Sequence, residues 1–89
     1  MQYADVRLRG VRTAVVLVGA GSLHDEALIV RLQRRLALPV MLVTQDETSI
    51  QGMRAYAQFD AVPYLFALLA SEDVEWLELE AEVEQELPF

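Results

Sequence analysis

A chain of 89 residues that is 54% hydrophobic is long enough for one domain, residues 1–89, with a buried core. It contains no cysteine, which excludes disulfides, thiolate metal sites and cysteine-based catalysis. Its net charge of −7 disfavours nucleic acid and anionic membranes as partners. The N-terminus carries charges where a signal peptide is apolar, and the longest apolar run, residues 61–70, is about half a membrane span, so we expect a cytoplasmic protein.

Charge is unevenly distributed along the chain. All basic residues are arginines and lie between Arg7 and Arg54, whereas residues 72–86 are crowded with Asp and Glu. The pattern predicts an acidic strand or tail over residues 72–89. Such a segment attracts basic protein surfaces, so we expect it to present an acidic face to a basic partner; a merely solubilising surface is the alternative interpretation.

Strand patterns dominate the first half of the chain. Residues 6–12 alternate, with Val6 and Leu8 on one face and arginines on the other, which indicates a half-exposed strand. Residues 13–19 and 40–44 are near-continuous apolar runs rich in β-branched side chains. Such runs are typical of strands buried on both faces of a parallel sheet.

A helix is predicted between these two buried strands. Ser22 is a good N-cap residue at its start, and Pro39 ends it. Its apolar stripe has helical spacing and is formed by Leu28, Ile29, Leu32 and Leu36. Its arginines lie off that stripe, at Arg31, Arg34 and Arg35. The predicted unit is therefore β-α-β with a buried helix face.

The second half predicts one more helix and two more strands. Residues 45–59 carry apolar side chains at helical spacing and predict a weak helix, because Gly52 lies inside it. The apolar run 63–70 predicts a third strand. The alternation of Leu and Glu in residues 74–86 predicts a half-exposed strand, with a helix as the alternative. After the N-terminal strand the predicted order is β-α-β-α-β-β, an α/β domain with a mixed sheet.

The loop of residues 19–21 resembles a dinucleotide-binding fingerprint. Gly19 and Gly21 match its first two glycines, Ser22 opens the helix, and Asp46 ends the second strand where a ribose-binding acid would lie. His24 occupies the position of the third glycine, and the chain is too short for a second dinucleotide half. A small nucleotide- or anion-binding domain is therefore the alternative function.

A second resemblance begins at residue 56, in "YAQFDAVPYLFALLASEDVEWLELE". This order of elements, with a strand that starts at Pro63, resembles the thioredoxin-like superfamily. The resemblance implies a cis peptide bond between Val62 and Pro63. The redox cysteine pair of that family is replaced by "SLHDEA", residues 22–27, so the resemblance implies a redox-inactive member. In such a member Val62 and Pro63 would form a surface for holding a peptide strand.

Opposite charges on two alternating strands indicate how copies of the chain associate. Arg7 and Arg9 alternate with apolar residues in the first strand, as Glu78, Glu80 and Glu82 do in the last. Opposite charges across strands select the partner and the register. In the thioredoxin-like order these strands lie on opposite sheet edges, so the pairing would join two chains. We therefore expect a homo-oligomer assembled through sheet edges.

No set of residues in the sequence predicts catalysis. His24 is the only histidine, and Ser22, His24 and Asp25 lie within one helical turn, where they cannot face one another as a triad. We expect no enzyme activity, no cofactor and no metal site. The predicted function is a non-catalytic protein-interaction or assembly module of an accessory or chaperone-like kind.

Overall fold

The computed structural model describes residues 1–45, 52–71 and 74–79. It contains two helices and a five-stranded sheet in the described part of the chain. The elements, in chain order, are β1 Gln2–Leu8, β2 Val11–Leu17, a short 3₁₀ turn Ala20–Ser22, α1 Glu26–Leu36, β3 Val40–Gln45, β4 Met53–Ala57, α2 Ala61–Ala70 and β5 Leu77–Glu78.

The sheet is mixed, as predicted, with the order β4-β3-β2-β1-β5. β2 and β3 are parallel and are joined by α1. β1 is antiparallel to β2 and to β5, and β4 is antiparallel to β3. The α/β class, the two buried strands and the first helix are therefore confirmed. The single strand predicted over residues 6–12 is wrong, because β1 ends at Leu8 and Val11 already begins β2.

A tight turn joins β1 to β2. Arg9 has φ 52° and Gly10 has φ 81°, the pair of positive φ values that a two-residue hairpin needs to match the twist of its strands. Gly10 takes this conformation without the steric cost of a side chain. The guanidinium of Arg7 donates to the carbonyl oxygen of Gly10 at 3.1 Å.

One helix covers each face of the sheet. The inward residues of α1, Ile29 and Leu32, pack on one side of β2 and β3. Leu68 of α2 packs on the opposite side of the same strands. The molecule is therefore a three-layer α/β/α domain, and its central strands are buried on both faces.

The helix predicted over residues 45–59 is wrong in its described part. Residues 53–57 form strand β4, with Met53, Ala55 and Ala57 facing α2 and Tyr56 facing α1. The apolar residues of this segment fit both the period of two of a strand and the spacing of a helix. Pairing with β3 makes the segment a strand. Residues 46–51 lie outside the described residues.

The strand predicted over residues 63–70 is also wrong, because these residues belong to α2. The side chain of Asp60 caps this helix by accepting from the N–H of Val62 at 3.3 Å. Pro63 lies in the first turn, where backbone N–H groups have no partner within the helix. The absence of an N–H in proline therefore costs no helical hydrogen bond. The described residues contain no cis peptide bond. The strand at Pro63 that carried the thioredoxin-like resemblance is therefore absent, and the predicted element order is corrected to β-β-α-β-β-α-β.

The predicted cap of α1 is wrong by three residues. Ser22 ends the 3₁₀ turn, and Asp25 is the N-cap, with its carboxylate accepting from the N–H of Leu28 at 3.1 Å. Aspartate suits this position because its charge also complements the helix dipole. The helix ends at Leu36, where Ala37 adopts the left-handed conformation.

We expect Asp25→Ala to lower the free energy of unfolding by about 1 kcal/mol, because the first turn of α1 loses its cap. Ser22→Ala is the matched control and should change stability by less than about 0.5 kcal/mol. Urea denaturation followed by circular dichroism measures both. A larger loss for Ser22→Ala than for Asp25→Ala would contradict this cap assignment.

Candidate functional site

The outward face of α2 is apolar. Val62 is 58% exposed, Phe66 52% and Leu69 38%. They are spaced i, i+4 and i+7, so they form one continuous line on the helix. We call this line the apolar stripe. No charged residue occurs within Ala61–Ala70, so nothing in the helix offsets this exposure.

The outward face of α1 has the opposite character. Arg31, Arg34 and Arg35 are all exposed, and Glu26 and Asp25 stand at the start of the helix. This is the usual arrangement of a surface helix, apolar inward and charged outward. The two helices cover equivalent faces of one sheet, so the apolar stripe is not a requirement of the fold.

The inward side of α2 already fixes the helix to the sheet. Leu68 is buried, and Tyr64 and Leu65 are half-buried against the same core. Phe59 packs edge-to-face on Tyr64 with ring centroids 4.9 Å apart. These contacts hold α2 without help from its outward residues. The apolar stripe is therefore available for a partner.

The predicted interaction residues Val62 and Pro63 lie on this helix rather than on a strand edge. Val62 is the most exposed large hydrophobic residue of the described chain and belongs to the apolar stripe, while Pro63 is half-buried. Phe66 and Leu69 were missed by the sequence reasoning. A strand over this segment places alternate residues on one face, and a helix is needed to align positions 62, 66 and 69.

The sequence predicts that Arg7 and Arg9 pair with two of Glu78, Glu80 and Glu82 of a second chain, which stays a prediction. Within one chain, Arg7 and Arg9 lie apart from Glu78. β1 and β5 are neighbours in the same sheet, in a register that sets Gln2 opposite Glu78 and Tyr3 opposite Leu77. Arg7 lies at the other end of β1, and Arg9 lies in the hairpin turn. The premise that these strands occupy opposite sheet edges is wrong.

Glu78 has a different partner from the arginines expected. Its carboxylate accepts from the ammonium group of Met1 at 2.8 Å. Residues 74–79 of the predicted C-terminal strand are described, and of these Leu77–Glu78 form β5; Glu80 and Glu82 lie outside the described residues. Among the arginines, Arg12 pairs with Asp5 at 2.6 Å, and this hydrogen bond lowers the pKa of the Asp5 carboxyl.

The glycine loop lies at the carboxyl end of β2, beside the parallel strand β3. The N–H of Val18 donates to the carbonyl oxygen of Val43 at 2.9 Å and holds the start of the loop there. Gly19 has φ −74°, and a Cβ atom at Gly19 or Gly21 would meet no described atom within 4 Å. Neither glycine is required by the local packing, and the loop backbone is accessible.

The loop does not direct its amide groups as a phosphate cradle does. The N–H of Ser22 donates to Gly19 at 2.9 Å, within the 3₁₀ turn. The start of α1 already carries the carboxylates of Asp25 and Glu26. These negative charges occupy the positive end of the helix dipole, where an anion would bind. Asp46 lies outside the described residues.

A polar cluster that the sequence did not predict joins α1 to β4. The hydroxyl of Tyr56 donates to the carboxylate of Glu26, and this hydrogen bond is the main cause of a raised pKa for Tyr56. The imidazole of His24 packs edge-on against the Tyr56 ring, with centroids 4.6 Å apart. Tyr56 is 30 residues from Glu26 in the sequence, without motif spacing, so only the fold brings it to His24 and Glu26.

Comparisons with known proteins give no relative: no family model, no curated protein and no solved structure matches the chain. Within residues 1–45, 52–71 and 74–79, no group of three or more acidic or histidine side chains is placed to hold a metal ion. In that same part of the chain no helix is both long and apolar enough to cross a membrane.

We expect Glu26→Gln to lower the pKa of Tyr56, because the phenol loses a charged acceptor that favours its protonated form. The Glu26 contact stabilises the fold below the ordinary tyrosine pKa of about 10 and is lost as the pH rises through the folded value. Absorbance titration of tyrosinate, with Tyr56→Phe to identify the signal, measures the change. An unchanged titration curve in Glu26→Gln would refute the hydrogen bond.

Proposed function

We propose that this chain is a non-catalytic protein-interaction module that self-associates through the apolar stripe of α2. The observation that carries the proposal is the exposure of Val62, Phe66 and Leu69 on a helix without charged residues. Amphipathic and apolar helix faces bind partners through anchors at this i, i+4, i+7 spacing.

A second copy of the chain is the partner that fits this surface best. An antiparallel two-fold packing with its axis near Phe66 brings Val62 of one copy next to Leu69 of the other, so the stripe is complementary to itself. Each copy carries a net charge of −7, which opposes association through charged surfaces. Contact between two uncharged helices keeps the like charges of the copies out of the centre of the interface.

The size of the stripe indicates a weak dimer. Removing the exposed part of each of the three side chains from water contributes on the order of 1 kcal/mol, and a symmetric pair buries the stripe of both copies. Association costs at least about 4 kcal/mol in translational and rotational freedom. The stripe is also smaller than the roughly 800 Å² per partner of a standard stable interface. We therefore expect a concentration-dependent equilibrium between monomer and dimer.

Several expectations from the sequence stay predictions and do not support this proposal. They are the assembly through sheet edges, the acidic face of residues 72–89 for a basic partner, the cytoplasmic location, the accessory or chaperone-like role, and membership of the thioredoxin-like superfamily. The apolar stripe replaces the sheet edge as the surface for self-association because it rests on described side chains.

Nucleotide or anion binding at the glycine loop is the second candidate function. Its support is the position of the loop beside parallel strands, where α/β proteins bind ligands. The carboxylates of Asp25 and Glu26 oppose it. A nucleotide at about 100 times its dissociation constant adds ~2.7 kcal/mol to the free energy of unfolding. We expect a thermal-shift panel of nucleotides to leave Tm unchanged, and a raised Tm would favour this candidate.

Self-association is tested by Phe66→Glu, which places a charge at the centre of the apolar stripe. We expect the wild-type chain to pass from monomer to dimer as its concentration rises toward about 1 mM, and the variant to stay monomeric, because two buried like charges oppose each other. Light scattering coupled to size-exclusion chromatography measures the mass, and circular dichroism confirms that the variant is folded.

Val30→Glu is the matched control for this experiment. Val30 is 37% exposed on the outward face of α1, so the same charge is introduced on a helix outside the proposed interface. We expect Val30→Glu to dimerise like the wild type. A wild-type chain that remains monomeric at about 1 mM, where an interaction of only ~4 kcal/mol is half-saturated, would refute the proposal. So would an equal loss of dimer in both variants.

A further inference from the structure

The arginines collect on one side of the sheet. Tyr3, Ala14 and Tyr56 belong to the core beneath α1. Because side chains alternate along a strand, Arg7 lies on the same face as Tyr3. For the same reason Arg12 lies on the face of Ala14, and Arg54 on the face of Tyr56. The arginines of this side, counted with those of α1 itself, are Arg7, Arg12, Arg31, Arg34, Arg35 and Arg54. A chain of net charge −7 therefore has a basic side.

On the outward face of α1, Arg31 and Arg34 have no carboxylate partner in the described chain. The carboxylate of Asp5 is taken by Arg12, and that of Glu26 by Tyr56. Among the described residues no ion pair joins Arg31 or Arg34 to an acid. Both are exposed on the outward face of α1, and Val30 lies beside them with 37% of its surface exposed. We call Val30, Arg31 and Arg34 the basic patch.

We propose that the basic patch docks an acidic segment of a partner protein. Arg31 and Arg34 are three residues apart, so their side chains are neighbours on the helix surface, about 5–6 Å apart at Cβ. Carboxylates on alternate residues of an extended chain are about 7 Å apart, close enough to pair with both guanidinium groups. Each guanidinium presents a planar fork that binds a carboxylate through two hydrogen bonds.

The composition of the basic patch also fits a protein interface. Arginine is enriched at such interfaces, and an apolar side chain between charged ones provides a contact that excludes water. Val30 lies one turn before Arg34, so its apolar side chain adjoins the Arg34 guanidinium stem on the helix surface. The expected ligand is therefore an extended segment with alternating carboxylates and at least one apolar side chain.

A protein segment is favoured over nucleic acid by the charge of the whole chain. The sequence pI is about 4.5, whereas nucleic-acid-binding domains are typically basic overall, with a basic surface that tracks many phosphates. A net charge of −7 repels a long polyanion beyond the reach of two arginines. A short acidic segment carries far less charge and gains the two local ion pairs.

This inference is independent of the proposed function. The basic patch is on α1 and the apolar stripe is on α2, on opposite faces of the sheet. A partner bound to one helix leaves the other free, so a dimer formed through α2 would present two basic patches. Loss of either surface leaves the other intact.

The test is fluorescence anisotropy with a labelled ten-residue peptide of alternating Glu and Val, at low salt. We expect Arg34→Glu to weaken binding at least ~10-fold, because one ion pair becomes a repulsion. Arg9→Glu is the matched control, since it changes the net charge equally in the exposed hairpin turn, and it should weaken binding by less than ~3-fold. Arg34→Lys should be intermediate, because lysine keeps the charge and loses the fork.

Two further probes decide the class of partner. The same peptide with Gln in place of Glu should bind at least ~10-fold more weakly, and a DNA oligonucleotide of about 20 nucleotides should bind more weakly than the Glu peptide. Equal binding of the Glu and Gln peptides, equal effects of Arg34→Glu and Arg9→Glu, or tighter binding of DNA would each overturn the proposal. Light scattering on Arg34→Glu reports dimerisation separately.

Discussion

The parallel pairing of β2 and β3 is the constraint on which the rest of the structure depends. Its register runs from Ala14 opposite Val40 to Leu17 opposite Val43, and all of these paired residues except the half-buried Leu17 are buried. Parallel strands cannot be joined by a hairpin, so the chain must cross over through α1. That crossover covers one face, and the other face remains apolar until α2 covers it. The three layers follow from this one pairing.

The two helices meet this constraint in different ways. α1 needs only a narrow apolar line, because Ile29 and Leu32 fill its side of the core, and its exposed side carries Arg31, Arg34 and Arg35. α2 is apolar on every side, although Leu68 and its half-buried neighbours already cover the sheet. Covering the sheet therefore explains the inward residues of α2 and leaves Phe66 without a structural role. The proposed self-association through the apolar stripe would give Phe66 a role.

Long, unambiguous patterns were predictable from the sequence, and short ones were not. The continuous runs of β2 and β3 and the stripe of α1 each favour one structure, so these elements were predicted correctly. Residues 53–57 fit both a period of two and a helical spacing, and only the ladder with β3 makes them a strand. The apolar run 63–70 predicts a strand from its hydrophobicity alone. Its Leu and Ala content and the cap at Asp60 favour the helix that forms.

The error over α2 also determined what could be inferred about the candidate site. A strand that starts at Pro63 makes Val62 an edge residue and places Leu69 on the face opposite to Phe66, whereas a helix aligns all three on one face. The grouping of the arginines likewise depends on the fold, over longer distances in the sequence. The sequence shows that they precede residue 55, but only the alternation of β1, β2 and β4 around α1 brings them to one side of the sheet. The local sequence pattern shows which positions are apolar and which are charged. The strand order determines which of these side chains lie on the same surface. In this domain that order separates an uncharged helix from a basic one, so two chemically different partners can bind without competing.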